Sequence, residues 1–180
     1  MRHSVLRSLS AVSLALVTAA ASAAQPSVLL KFKGGIGVDP LTAAGGADVS
    51  NVVRGISPGG RAWVIRKLDA TVYTDASIVV KGKGLLFSSG DVIATRGPVA
   101  QVVATLACGP ADTTAEKFTS DPAPLNAAGN FTIRGSLTGH DASGNILPFP
   151  STCANPQLLI RASAAGGWFA AGILESDDED

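Results

Sequence analysis

Short apolar runs alternate with polar positions along most of this chain and are separated by Gly, Pro, Asn and Asp, which predicts strands and turns. Val28, Leu30 and Phe32 alternate with Leu29, Lys31 and Lys33, a first strand with one wet side that ends at Gly34-Gly35-Ile36-Gly37. From there to Gly60 the chain is rich in Gly, Ala, Pro and Asp, with Val52, Val53 and Ile56 as a short apolar island; this reads as a long irregular excursion. Leu68, Ala70 and Val72 then oppose Asp69, Thr71 and Tyr73. Trp63 and Ile65 fall in the other phase, so a bulge or bend is expected near Arg66-Lys67. Between Ile78 and Phe87, Lys81 and Lys83 project from one face while Gly82 and Gly84 thin the other, as happens where another strand approaches closely.

In the second half, Val102, Ala104, Leu106 and Cys108 alternate with Val103, Thr105 and Ala107 until Gly109-Pro110 stops the run. Thr113 to Thr119 reads as a polar edge strand, and Asn126 to Asn130 as a turn before Phe131, Ile133, Gly135 and Leu137. A loop from Thr138 to Thr152 separates these from Leu158, Ile160 and Ala162, and Trp168 to Leu174 forms a last strand. No window of helical length carries a 3.6-residue period. The expected fold is all-β: a single-domain β-sandwich, immunoglobulin-like or a related Greek key, of about 8–10 short strands, with a barrel as the second architecture.

The first 24 residues lie outside that pattern. Arg2 and Arg7 precede an apolar run from Leu9 to Val17, and Ala21-Ser22-Ala23-Ala24 supplies small residues for cleavage, the layout of a secretory signal peptide. The expected organisation is a signal at 1–24, a β-sandwich domain at 25–174 and a flexible acidic tail at 175–180. The processed chain is then secreted or periplasmic, and no later run is long enough to span a membrane as a helix. Processing also changes the charge. The remaining twelve basic and fourteen acidic residues give a net of −2, but five of those acids occupy the last six positions, so the body carries +3.

Export gives the only two cysteines, Cys108 and Cys153, an oxidising destination, where one structural disulfide is expected. A metal-binding or reactive thiol pair favours closer spacing or a neighbouring base.

The stretch Val103-Ala104-Thr105-Leu106-Ala107-Cys108-Gly109, followed by Pro124 to Phe131, Cys153, Leu158 to Arg161 and Gly167-Trp168-Phe169-Ala170, resembles uncharacterised secreted bacterial proteins of all-β type. The resemblance spans about half of the processed chain and implies export and a sandwich fold; it brings no activity. A looser likeness to immunoglobulin sandwiches lacks their tryptophan between the cysteines, since Trp63 and Trp168 lie outside the bracket. A superoxide-dismutase-like sandwich needs several histidines for its metals, and only His140 follows the signal.

Candidate chemistry is sparse. His140 has Asp141, Ser136 and Ser143 near it in sequence, but Gly139 to Asn145 has the composition of an exposed turn, and no nucleophile elbow occurs. The acidic tail offers clustered oxygens for calcium, although a run of like charges at a terminus is ordinarily solvated. Gly34 to Gly37 and Gly82 to Gly84 match no phosphate-cradling pattern, and nothing marks nucleic acid as a partner. Asn130-Phe131-Thr132 matches a glycosylation acceptor, meaningful only in a eukaryotic secretory pathway.

Lys31, Lys33, Arg66, Lys67, Lys81 and Lys83 form a candidate patch for an anionic polymer if their strands are neighbours. The same lysines also suit a purely protective role on wet sheet faces, or hold the acidic tail in cis. The expectation is therefore an exported, non-catalytic binding, adhesion or envelope-interaction module without cofactor, with another envelope protein or an anionic polymer as partner. The alternative from a different class is a secreted, glycosidase-like hydrolase with a carboxylate-based site, for which the body supplies one glutamate, Glu116.

Overall fold

A computed structural model describes residues 25–40 and 51–176; the expected signal peptide and the tail beyond Ser176 lie outside the described residues. The described chain contains no helix. Its strands are β1 (Val28–Gly37), β2 (Trp63–Val64), β3 (Lys67–Tyr73), β4 (Ser77–Lys83), β5 (Leu86–Phe87), β6 (Gln101–Cys108) and β7 (Glu116–Thr119). They continue as β8 (Ala123–Pro124), β9 (Phe131–Ser136), β10 (Thr138–His140), β11 (Ile146–Leu147), β12 (Gln157–Arg161) and β13 (Trp168–Leu174).

The large sheet runs β11-β10-β7-β6-β12-β13-β1-β3-β4-β9, every pairing antiparallel, with β8 added to β6 and a separate β2–β5 pair. The fold is all-β and a single domain, as the alternation predicts. The expected layering arises from one sheet that curls over on itself. β7 and β8 are two pieces of a single run along β6. At the break between them the Ser120 N–H donates to the Ala104 carbonyl at 2.9 Å, and the Ser120 hydroxyl oxygen accepts from the Ala104 N–H at 3.0 Å. A turn at Asn126–Gly129 leads from β8 into β9, where the Asn126 N–H donates to the Asn130 carbonyl at 3.1 Å, so the β9 end of the sheet meets β8 beside β6.

The core lies inside this curl. Phe32, Leu68, Val72, Val80 and Ile133 from one half pack with Leu106, Phe118, Leu158, Ile160 and Trp168 from the other. Each large apolar side chain taken from water contributes about 1.5–3 kcal/mol. Paired residues share a face, so the in-phase sets Phe32, Ala70, Val80 and Ile133 line up across four strands and leave the intervening positions outside.

The expected bend is present, whereas three segments differ from the sequence pattern: Thr113–Thr119, Gly34–Gly60, and Thr138–Thr152, which holds β10 and β11 where a loop is expected. The bend near Arg66 is real: β2 stops at Val64, β3 starts at Lys67, and both Trp63 and Leu68 point inward. The Thr113–Thr119 segment forms a shorter strand that is internal, between β6 and β10, because Phe118 is fully buried against Phe149 with ring centroids 5.1 Å apart. Only part of the long Gly34–Gly60 excursion is described. There β1 extends to Gly37, and Val53 and Ile56 close a tight turn through reciprocal backbone bonds of 3.0 and 2.8 Å.

Cys108 and Cys153 form the expected disulfide, with Cα atoms 5.0 Å apart. Its surroundings hold a device that the sequence pattern does not mark. Arg54, half-buried, donates to the Asn155 carbonyl at 2.8 Å, to the carbonyls of Gly109 and Pro110, and to Gln157 Oε1 at 3.4 Å. The guanidinium therefore ties together the backbone on both sides of the bridge. Arg54 does so from a left-handed backbone conformation (φ 53°), which costs an ordinary residue about 1 kcal/mol or more.

Candidate functional site

The six basic residues singled out in the sequence come from strands that the fold makes neighbours. In the β1–β3–β4–β9 portion, Lys33 pairs with Asp69, Asp69 with Lys81 and Lys81 with Thr132. The adjacent row joins Lys31, Thr71, Val79 and Arg134, and a third joins Lys67 to Lys83. Because directly paired residues project to the same side, Lys31, Lys33, Lys67, Lys81 and Lys83 all stand on the outer face. Arg66 flanks this face at the bend, its side chain lying against Gly84.

Two features hold the lysines outward. The apolar partners of the alternation anchor the opposite face, with Phe32, Leu68 and Val80 at most 2% exposed. Gly82 lies beneath the Phe131 ring, so that an added Cβ at this position would overlap the ring atoms. The close approach anticipated from the glycines is therefore made by an aromatic side chain of β9.

Sequence reasoning missed Arg134, which the β4–β9 register adds to the same face opposite Val79. Its signal was present, since Arg134 lies in the polar phase of the Phe131–Ser136 alternation, but only the pairing places it beside the lysines. Glu175, the first residue of the acidic tail for which the sequence offers these lysines as partners, donates its N–H to the Lys31 carbonyl at 2.9 Å, and its carboxylate lies 3.7 Å from Lys33 Nζ. Six cations thus share the face with two carboxylates, Asp69 and Glu175, a net of +4.

Two of the cations are paired, Lys33 with Glu175 and Lys67 with Asp69 at 3.1 Å, both through exposed side chains where an ion pair contributes little. Lys31, Lys81, Lys83 and Arg134 form no ion pair among the described residues. A shallow trough of about 290 Å³ passes between Lys31, Lys33, Thr71, Lys81 and Glu175. A second, of about 430 Å³, continues past Lys81 to Lys83, Asn126, Asn130 and Thr132. Side by side, they make a track across the strands with ammonium groups on its walls.

A different pair of cations lies on the outer side of the β6–β12 half. Arg161 is 6% exposed and donates to the Gly166 carbonyl at 3.0 and 2.8 Å and to Thr105 Oγ1 at 3.3 Å. Burial pushes its pKa down, and Lys117 is lowered first by burial and then by the nearby Arg161 and Arg54 charges. Lys117 spends its ammonium on the carbonyls of Thr113 and Ala115, at 3.1 and 3.0 Å. These cations are bound into the backbone and serve packing.

The remaining candidates are dispersed. His140 is exposed on β10 and its imidazole makes no hydrogen bond among the described residues, while Asp141 turns its carboxylate onto its own loop, accepting from Ser143 N–H at 2.8 Å and Asn145 N–H at 2.9 Å. Glu116 is exposed at the start of β7, paired with Cys108. Among the described residues no three His, Cys, Asp or Glu side chains converge as metal ligands, and no helix is long and apolar enough to cross a membrane. Comparison with known proteins gives no match to any family model, to any curated protein or to any solved structure.

Proposed function

We propose that this protein is an exported, non-catalytic binding module whose working surface is the outer face of β1, β3, β4 and β9, and whose ligand is an extended carboxylated or otherwise anionic polymer of the cell envelope. The observation that carries the reading is the cross-strand placement of Lys31, Lys81, Lys83 and Arg134 on one outer face, none of them in an ion pair among the described residues. Lys31 and Lys33 on β1, and Lys81 and Lys83 on β4, are successive outward residues about 6.7 Å apart, and β3 stands between the two strands, so the two pairs lie about 9.6 Å apart. A linear polyanion crossing the strands meets several ammonium groups in turn, each contact releasing counterions from the polymer. A sheet face of this kind is rigid, so little ordering opposes binding.

The test is titration with alginate, a polymer of uronic acids, against neutral dextran over a salt series. The expected result is binding to alginate alone, with a log affinity that falls by about 3 per decade of salt for four or five contacts. The Lys31→Gln/Lys81→Gln/Lys83→Gln variant, with an unchanged melting temperature, is expected to lose about 2 of that slope. Binding that is indifferent to salt, or unchanged in the triple variant, refutes the reading.

A further inference from the structure

The β2–β5 pair covers one end of the curled sheet, and a cleft of about 440 Å³ opens beside it. Trp63, Phe87 and Phe169 form its floor, Val92 and Val99 its walls, and Arg61 its rim. Its volume falls within the range of about 300–1,000 Å³ typical of small-molecule sites, which are likewise mostly apolar with a few convergent polar groups.

Two polar groups at the cleft are open to a ligand, one without an acceptor and one in an exposed ion pair. Trp63 is 3% exposed, packed between Phe87 and Phe169 with both ring centroids 4.2 Å away. The other tryptophan, Trp168, gives its indole N–H to the Asn51 carbonyl at 2.9 Å, whereas that of Trp63 meets no acceptor among the described residues. Among the described residues no side-chain nitrogen or oxygen sealed from solvent lacks a partner, so the unpartnered Trp63 Nε1–H keeps some contact with solvent, and Trp63 lines the cleft. A tryptophan held this deep, its N–H without an acceptor among the described residues, is placed to donate to something that enters.

The second group is Arg61. Its guanidinium carbon lies 5.8 Å from the centre of the Phe87 ring, and its one hydrogen bond is a 3.4 Å contact to Asp91, whose side chain is 88% exposed. So open a pair binds weakly and is readily exchanged for another carboxylate. Both donors flank the same Phe87 ring.

We infer that the cleft binds a small amphipathic anion, an aromatic or short acyl carboxylate whose apolar body lies between Val92, Val99 and Phe87 while Arg61 meets its charge and Trp63 Nε1–H donates to an acceptor oxygen. This site is separate from the lysine track and stands or falls without it. Apolar walls without Arg61 would suit a neutral ligand equally well; the guanidinium selects the anion.

The protein's two tryptophans supply the test, because each gives its own indole N–H resonance in a ¹⁵N-labelled sample. The probes are 4-phenylbutyrate and its neutral counterpart 4-phenylbutanol. Titration with 4-phenylbutyrate is expected to move the Trp63 indole signal, with a dissociation constant of about 1 mM, and to leave that of Trp168 in place. The alcohol is expected to bind about tenfold more weakly, and Arg61→Gln to erase that difference. Val92→Phe fills the cleft and is expected to abolish the shift. Gly60→Phe is a second plug at a position where an added Cβ meets nothing within 4 Å, so a folding defect in the first variant leaves the test intact. A Trp63 signal unmoved at about 10 mM 4-phenylbutyrate, equal shifts of both indoles, or full binding in a plugged variant that retains the native spectrum overturns the inference.

Discussion

Replacing both cysteines with alanine removes the covalent link between the end of β6 and the run that enters β12, and the size of its effect follows from the loop it closes. The bridge spans 45 residues, for which loop-closure entropy gives about 4 kcal/mol of stabilisation, expressed in the unfolded chain. For a domain of this length that corresponds to a fall in melting temperature of about 8–16 °C. The folded state is expected to survive, because Gln157 to Arg161 already pair with Val103 to Ala107, and the Gly109 N–H bonds the Ala154 carbonyl at 2.8 Å. Urea unfolding separates the two states. Without the cross-link the unfolded chain expands, so the m-value should rise while the midpoint falls. Arg54→Ala in the oxidised protein is the contrasting perturbation. It strips the folded state of the bonds to Gly109, Pro110 and Asn155, so it is expected to lower stability by about 1–3 kcal/mol with m unchanged. A cysteine-free protein that loses under about 1 kcal/mol, or loses stability with no change in m, refutes the loop-entropy reasoning.

Gly82→Ala places a methyl group against the Phe131 ring and is expected to cost about 1–3 kcal/mol in urea unfolding; a neutral result would mean that the β4–β9 pairing tolerates the displacement. Acid weakens three carboxylate-capped turns. Hydrogen bonds from Ser77 to Asp75, from Thr114 to Asp112 and from Asn145 to Asp141 hold these carboxyls below the usual range. The unfolded chain therefore binds protons first, and the stability the caps contribute is complete above about pH 4 and lost as pH falls through the lowered values. Carboxyl ¹³C titration checks this, and midpoints at the ordinary aspartate value count against it.

The strand pattern was legible because period-2 alternation is a local property: it assigns Phe32, Leu68, Val80 and Ile133 to one face and the lysines to the other without knowledge of the neighbours. A second strongly readable feature was the cysteine pair, since a chain with two such residues has one internal pairing. The Thr113–Thr119 segment misled because its polar residues hide one large apolar side chain, Phe118, that draws it between two strands.

By itself, then, the sequence determined the class of fold, the face of each strand and the covalent staple. The tertiary structure decided which strands are neighbours, and with that the features no local pattern marks: Arg134 joining the lysines through β9, Arg54 reaching the carbonyls beside a disulfide formed over fifty residues later, and Trp63, Phe87 and Phe169 meeting around one cleft. Alternation specifies a direction for each side chain, but distance between side chains depends on pairing order and register, and these are set by contacts between residues far apart in the chain.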